Sequence, residues 1–338
     1  MVSPTETYAR PALKVFYAVA GRTFCVETRE HRAAELFARH FSGWHFRRSG
    51  ATEKPSATIR VYDAGPPLVP PGLDSFDLAP GGRCHTDGLT YHLAYDNSLV
   101  RVGCDAANEV EVWLGVHEHS RREESLARLV FSAAMAAARR CGLYELHAAC
   151  AVEPATHAGV LLLGPSGAGK STLTAQLAAV GWGYLSDDSL LLRADGEATE
   201  VHALRRAFSL TEQTISAGGL AGFEHALHPP APFDPLKRRF DPLEVFPLGY
   251  AGSCKPSAII FPSVTSEPSS RAERLGQSEA MALLIRLCPW AAYDRACARG
   301  HLGALSRLAK NCRAYSLRAG NDLLGDAART ADFVAALL

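Results

Sequence analysis

The residues whose types and spacing can do chemistry begin at Gly164. Gly164-Pro165-Ser166-Gly167-Ala168-Gly169-Lys170-Ser171 fits G-x-x-x-x-G-K-[ST] without a mismatch, and Thr172 extends the turn. A polyphosphate needs several backbone N–H groups aimed at one point, and the glycines allow the conformations and close approach that a β-carbon obstructs. Lys170 supplies a point charge for the β- and γ-phosphates, and the Ser171 hydroxyl is suited to an accompanying Mg²⁺. Downstream, Asp187 and Asp188 lie 17 and 18 residues after Lys170, near enough for a parallel return strand to set them beside the loop. One carboxylate can serve the metal while the other takes the proton of an attacking hydroxyl, or one can be a mere cap. His147 interrupts an apolar segment, either as a core histidine or as a site residue. Lys237-Arg238-Arg239 could face charge that develops on a transferred phosphoryl group, or be a solvated face.

These residues need elements to hold them. The apolar run Gly159 to Leu163 reads as a buried strand feeding the glycine turn, and Leu173 to Val180 reads as the helix that follows. Leu143 to Val152 is an apolar segment entering this core, and Gly181 to Leu192 reads as a strand with both carboxylates at its middle. Strands alternating with helices imply an α/β core. Six prolines between His228 and Tyr250 predict a long irregular, mobile connection around the basic run. Further strands are expected at Ser257 to Phe261, ended by Pro262, and at Arg313 to Arg318. Helices are expected at Glu279 to Leu287, Ala291 to Leu308 and Asp326 to Leu338, with Ser266 to Arg274 as loop.

At 338 residues the chain is long for one core, which favours two domains. Residues 1–120 read as an α+β domain. A hairpin turns at Gly21, a helix runs from His31 to Phe41, and short strands follow at Ala57 to Tyr62, Thr90 to Tyr95, Ser98 to Val102 and Glu109 to Leu114. The four prolines between Gly65 and Gly72 make a loop. Residues 121–338 form the second domain, entered by a short linker and a helix from Ser125 to Cys141. Cys84-His85 and His117-Glu118-His119 have ligand chemistry but no third partner at a metal-site spacing.

Lys+Arg 35 against Asp+Glu 35 argues against a surface built to hold nucleic acid. Nine cysteines without a C-x-x-C pair suggest free thiols, and no apolar run approaches membrane-spanning length. A cytoplasmic protein is expected.

The ordered set of His147, the glycine loop, Trp182 to Asp188 as W-G-Y-L-S-D-D, Lys237 to Phe240, Ser257 to Pro262 and Tyr315 to Asp322 resembles the HPr serine kinase/phosphorylase superfamily. It is closer to the HPr-kinase-related branch that includes kinases of lasso-peptide precursors. The resemblance covers roughly residues 125–338. It implies a P-loop kinase core related to the phosphoenolpyruvate carboxykinase fold, ATP and Mg²⁺ as cofactors, and a serine hydroxyl of a peptide or small protein as acceptor. It further implies Asp187 as general base, Asp188 with Ser171 at the metal, and His147 in the active site. Gly164, Ser166 to Thr172 and Lys237 would hold phosphates, with Arg238 or Arg239 closing over the γ-phosphate. Thr172 stands where HPr kinases carry Glu, and their C-terminal signature loop has no clear copy, so HPr as acceptor and the back-reaction are not implied. A homo-oligomer is left open. So are a kinase of free serine or a sugar, and a nucleotide-sensing ATPase.

Overall fold

The computed structural model describes residues 13–338 except for 53, 79–80, 104–107, 116–121, 194–198, 218–223 and 231–234. His117 to His119 and the expected linker up to Arg121 lie outside the described residues. The chain divides into two compact units, Met1–Leu143 with Ala292–Arg299, and Tyr144–Ala291 with Gly300–Leu338.

The first unit contains β1 (Leu13–Val19), β2 (Arg22–Thr28), α1 (His31–Ser42), β3 (Arg47–Arg48) and β4 (Ala57–Tyr62). It continues with β5 (Asp74–Leu78), β6 (Gly82–Thr86), β7 (Tyr91–Tyr95), β8 (Ser98–Val102), β9 (Glu109–Trp113) and α2 (Arg122–Arg140). The strands form one sheet of nine in the order β3-β1-β2-β4-β9-β8-β7-β6-β5. Alternating residues bury one face of β4, where Ala57, Ile59 and Val61 point inward. Phe37 and Phe41, one turn apart on α1, are fully buried. The strands β5 and β6 carry few apolar residues and escape a hydrophobic-pattern reading. Beneath the sheet, Asp294 is wholly buried between Arg139 and Arg140, at 3.1 and 2.9 Å.

The second unit begins with β10 (Leu143–Leu146), β11 (Ala148–Val152), β12 (Gly159–Leu163), α3 (Lys170–Ala179), β13 (Gly183–Ser186) and β14 (Leu190–Arg193). Then come β15 (Glu200–Ala203), β16 (Phe208–Thr211), α4 (Glu212–Ala217), β17 (Lys237–Phe240), α5 (Pro242–Val245) and β18 (Ser253–Cys254). The chain closes with β19 (Pro256–Val264), β20 (Arg271–Leu275), α6 (Gln277–Leu287), α7 (Trp290–Tyr293), α8 (Arg295–Asn311), β21 (Arg313–Ala319) and α9 (Ala327–Ala335). A mixed α/β architecture with several sheets results. The central sheet runs β13-β11-β12-β19-β21-β20, with β12, β19 and β21 parallel. Beside it stand a four-stranded sheet, β10-β14-β15-β18, and the ribbon β16-β17.

The apolar segment around His147 forms two strands, β10 and β11, with His147 at the break. Three sequence expectations are corrected here. The segment from Gly181 is likewise two strands, and Asp187-Asp188 occupy the bend between β13 and β14 instead of a strand middle. Pro262 does not end its strand: it lies past the stretch of β19 that pairs with β12, where its missing N–H leaves no gap in that ladder. Lys237 to Phe240 is no mobile loop but a strand, paired Phe208↔Phe240 through Thr211↔Lys237. Phe240 anchors that strand among Tyr184, Phe208 and Phe246.

The helix after the glycine loop is packed on two sides. Leu173 and Leu177 face a cluster with Val160, Leu162 and Ile260, and Ala175 and Ala178 face Tyr184, Phe208 and Leu210. Burying each leucine contributes about 1.5–3 kcal/mol, so the N-terminus of α3 is held by both clusters.

Candidate active site

Strand β12, buried along its whole length, delivers the chain to Gly164 at the end of a parallel sheet segment. The loop then folds on itself, with Ala168 N–H donating to the Pro165 carbonyl at 3.2 Å. Gly167 at φ +83° and Gly169 at φ +96° adopt the left-handed conformation, and Gly169 caps α3. The loop forms one wall of a cavity of about 360 Å³.

Lys170, the first residue of α3, is only 5% exposed. Its ammonium donates to the carbonyls of Gly164 (2.6 Å) and Pro165 (3.1 Å) and lies 3.4 Å from His147 Nε2. Burial draws its pKa below the usual lysine range, against the pull of Asp188 and Asp187. His147 sits with Nδ1 3.4 Å from Asp188 Oδ1. Burial lowers its pKa, Asp188 opposes that, and the Lys170 charge adds to it. A neutral imidazole with Nδ1–H toward Asp188 and a lone pair on Nε2 satisfies both neighbours. Asp188 is also held by Arg205 (3.0 Å) and by the Ser189 hydroxyl (3.2 Å). Its pKa stays below the usual range although burial works the other way, because His147, Arg205 and Lys170 surround it.

Asp187 points away from its neighbour. It is fully buried, does not line the cavity, and accepts the Ser209 N–H at 2.9 Å on Oδ2. Its Oδ1 has no hydrogen-bond partner among the described residues. Burial, with the Asp188 charge adding, pushes its pKa up to about 6. The Ser171 hydroxyl donates to the Asp187 carbonyl at 3.4 Å. A buried, unpaired carboxylate oxygen beside a serine hydroxyl is costly as it stands and is the donor set expected at a Mg²⁺ that takes its other ligands from phosphate and water. The chemistry of these residues fits Mg²⁺, which Ser171 and Asp187 would hold.

The resemblance gave Asp187 to the acceptor and Asp188 to the metal. Asp188 lines the cavity, whereas Asp187, wholly buried, does not. Ser166 to Thr172, His147, Asp188 and Lys237 all line the cavity. Arg238 and Arg239 do not. Arg238 is spent on Glu212 (3.1 Å) and on the carbonyls of His228 and Leu227. Alternation along β17 explains why Lys237 reaches the cavity and Arg238 does not.

Sequence reasoning missed Arg205, Ser209 and the threonines Thr211 and Thr214. Ser209 lines the cavity, is 8% exposed, and its hydroxyl has no partner among the described residues. Thr214 shares its hydroxyl with Thr172 (3.1 Å) and Thr211 (3.0 Å). None of these belongs to a motif with fixed spacing; the pairing of β16 with β17 places Ser209 and Thr211, and Arg205 and Thr214 flank β16 in the chain.

No family model matches the chain, and no curated protein matches it. Among solved structures it has a slight similarity to the Hpr(Ser) kinase/phosphatase from Coxiella burnetii. The two are 17% identical over 39% of this chain and 77% of that one, with a TM-score of 0.23. A likeness at that level carries no argument, and the site stands on this chain's own residues. Among the described residues no helix is long and apolar enough to cross a membrane.

Proposed function

We propose that this chain is a Mg²⁺-dependent phosphotransferase that moves the γ-phosphate of ATP to an aliphatic hydroxyl, with a serine of a peptide or small protein as acceptor. The observation that carries the reading is the convergence on one cavity of the glycine loop, Lys170, His147 and Asp188, with the unpaired Asp187 oxygen beside Ser171. The acceptor class comes from the sequence resemblance.

In this reading the loop N–H groups and Lys170 bind the β- and γ-phosphates, Lys170 exchanging its loop carbonyls for phosphate oxygens. Asp187 and Ser171 would hold Mg²⁺, which when bound would neutralise charge on the phosphates. The roles of the two carboxylates are thus exchanged relative to the resemblance. His147 Nε2 takes the proton of the acceptor hydroxyl as its oxygen bonds to the γ-phosphorus and ADP departs with the bridging oxygen. Asp188 keeps the imidazole oriented and offsets the charge it gains, and Arg205 fixes Asp188. Lys237 adds positive charge at the cavity wall.

The test is ADP release with and without a peptide hydroxyl acceptor, for wild type and His147→Gln. Acceptor-dependent release, lowered about 10²–10⁴-fold in His147→Gln while ATP still binds, supports the reading. Release that ignores both the acceptor and the substitution would replace it by ATP hydrolysis.

A further inference from the structure

The cavity extends past the phosphate loop, and its far end is built unlike the end at Lys170. The side chains of α3 fan out around the first turn: Lys170 turns toward His147 and Ser171 toward Asp187. Thr172 turns toward Thr214 at 3.1 Å, and Gln176, one turn above Thr172, donates to the Leu323 carbonyl at 2.7 Å. Thr172 therefore forms the floor of a groove with two walls. One wall is the hydroxyl chain Thr211–Thr214, with Gln213 beside it. The other is apolar, made by Leu324 and Val264, which line the cavity while 38% and 49% exposed. Val264 lies against the cap of α3, since a β-carbon on Gly169 would stand 3.1 Å from its Cγ2.

We infer that this groove is the nucleoside subsite, with the base lying on the Leu324–Val264 wall and the ribose hydroxyls meeting Thr211 and Thr214. The inference rests on the phosphotransfer reading. A lysine in this motif reaches the β- and γ-phosphates, so the α-phosphate must pass over the first helical turn, toward Thr172. Whatever follows the α-phosphate then enters the groove. One apolar wall for a flat ring and a few placed hydroxyls opposite is the makeup expected of a small-molecule site, and the whole cavity, phosphate end included, has a volume of about 360 Å³. The Thr172–Thr214–Thr211 chain has three hydroxyls but only two links between them, so it retains donor capacity for a ligand oxygen. The acceptor is left with the end at His147 and Asp188, since Lys237, paired with Thr211 across the β16–β17 ribbon, stands beside the hydroxyl wall.

Calorimetric titration of the full chain with ATP and with inorganic tripolyphosphate, in Mg²⁺, separates the subsites, because tripolyphosphate carries no nucleoside. Wild type is expected to bind ATP more tightly than tripolyphosphate. Leu324→Ala and Thr214→Val should each weaken ATP several-fold to about tenfold and leave tripolyphosphate within twofold. Leu324 is surface-accessible, so its truncation tests contact and not folding. Equal weakening of both ligands, or unchanged ATP affinity with a raised acceptor KM, would overturn the nucleoside assignment while sparing the phosphotransfer reading. Wild type that binds neither ATP nor tripolyphosphate would overturn both.

Discussion

Alanine at Gly167 and at Gly181 forms a matched pair that separates phosphate contact from stability. Both glycines are left-handed, at φ +83° and +91°, and a β-carbon at either meets no atom within 4 Å. Alanine therefore costs backbone strain alone, about 1–2 kcal/mol, offset in part by the smaller unfolded-state entropy. A net loss near 1 kcal/mol lowers Tm by roughly 2–4 °C in a unit of this size, equally for both variants. Only Gly167 lines the cavity; Gly181 lies just beyond α3, its N–H bonded to the Ala178 carbonyl. In Gly167→Ala the loop either holds a strained shape with a methyl in the ligand's path or relaxes and must be pulled back. Tripolyphosphate affinity should fall about tenfold or more, since 1.4 kcal/mol is tenfold. Gly181→Ala should bind like wild type. Thermal melts and calorimetry on the two variants read both quantities. Binding by Gly167→Ala within twofold of wild type would refute the close approach of the loop backbone, and equal losses in both variants would mean that affinity merely follows stability.

Three further outcomes follow from the same structure. Arg205→Met removes a 3.0 Å bond to Asp188 without touching the phosphate loop, so kcat should drop about 10–100-fold with ATP affinity nearly unchanged; a pure affinity loss would contradict its role in positioning Asp188. Asp294→Ala strands two buried guanidiniums, Arg139 and Arg140, and should destabilise the first unit by about 3–5 kcal/mol in denaturant titration; a loss under about 1 kcal/mol would contradict the ion triad. Burial raises the pKa of Glu27, but bonds from Lys14 and Arg60 outweigh it and leave the pKa depressed. Its stabilisation is then full above the unfolded glutamate value, about 4.3, and is lost as pH falls through the lower folded value. Glu27→Gln should cost about 1 kcal/mol or less at pH 7 and progressively less as pH falls below the unfolded value, and a pH-independent difference would contradict that sign.

Much of the fold was legible where one physical signal dominated. The buried run Gly159–Leu163, the glycine turn and the helix after it read directly from hydrophobicity and motif spacing, as did β1, β2, β4 and β8. Strands with polar composition did not: β5, β6, β17 and β20 are held by partner strands, and no window of Lys237-Arg238-Arg239-Phe240 shows an alternating apolar face. Within the site, Lys170 and Ser171 follow from the motif, and His147 and Asp188 were legible as chemistry without a location. Which of the two adjacent carboxylates faces the cavity depends on the bend between β13 and β14, and a continuous-strand reading hides that bend. Arg205, Ser209 and Thr214 act through distances that only the fold creates.

The most direct test of phosphotransfer is the intact mass of candidate acceptors after incubation with the protein, ATP and Mg²⁺. Peptides encoded beside its own gene, free serine and an HPr protein would be run separately, each with wild type and Lys170→Ala. Phosphotransfer to a hydroxyl predicts the mass gain of one phosphate on an acceptor with wild type and none with Lys170→Ala. ATP consumed with no acceptor gaining mass would contradict it and make the cavity that of a nucleotide hydrolase.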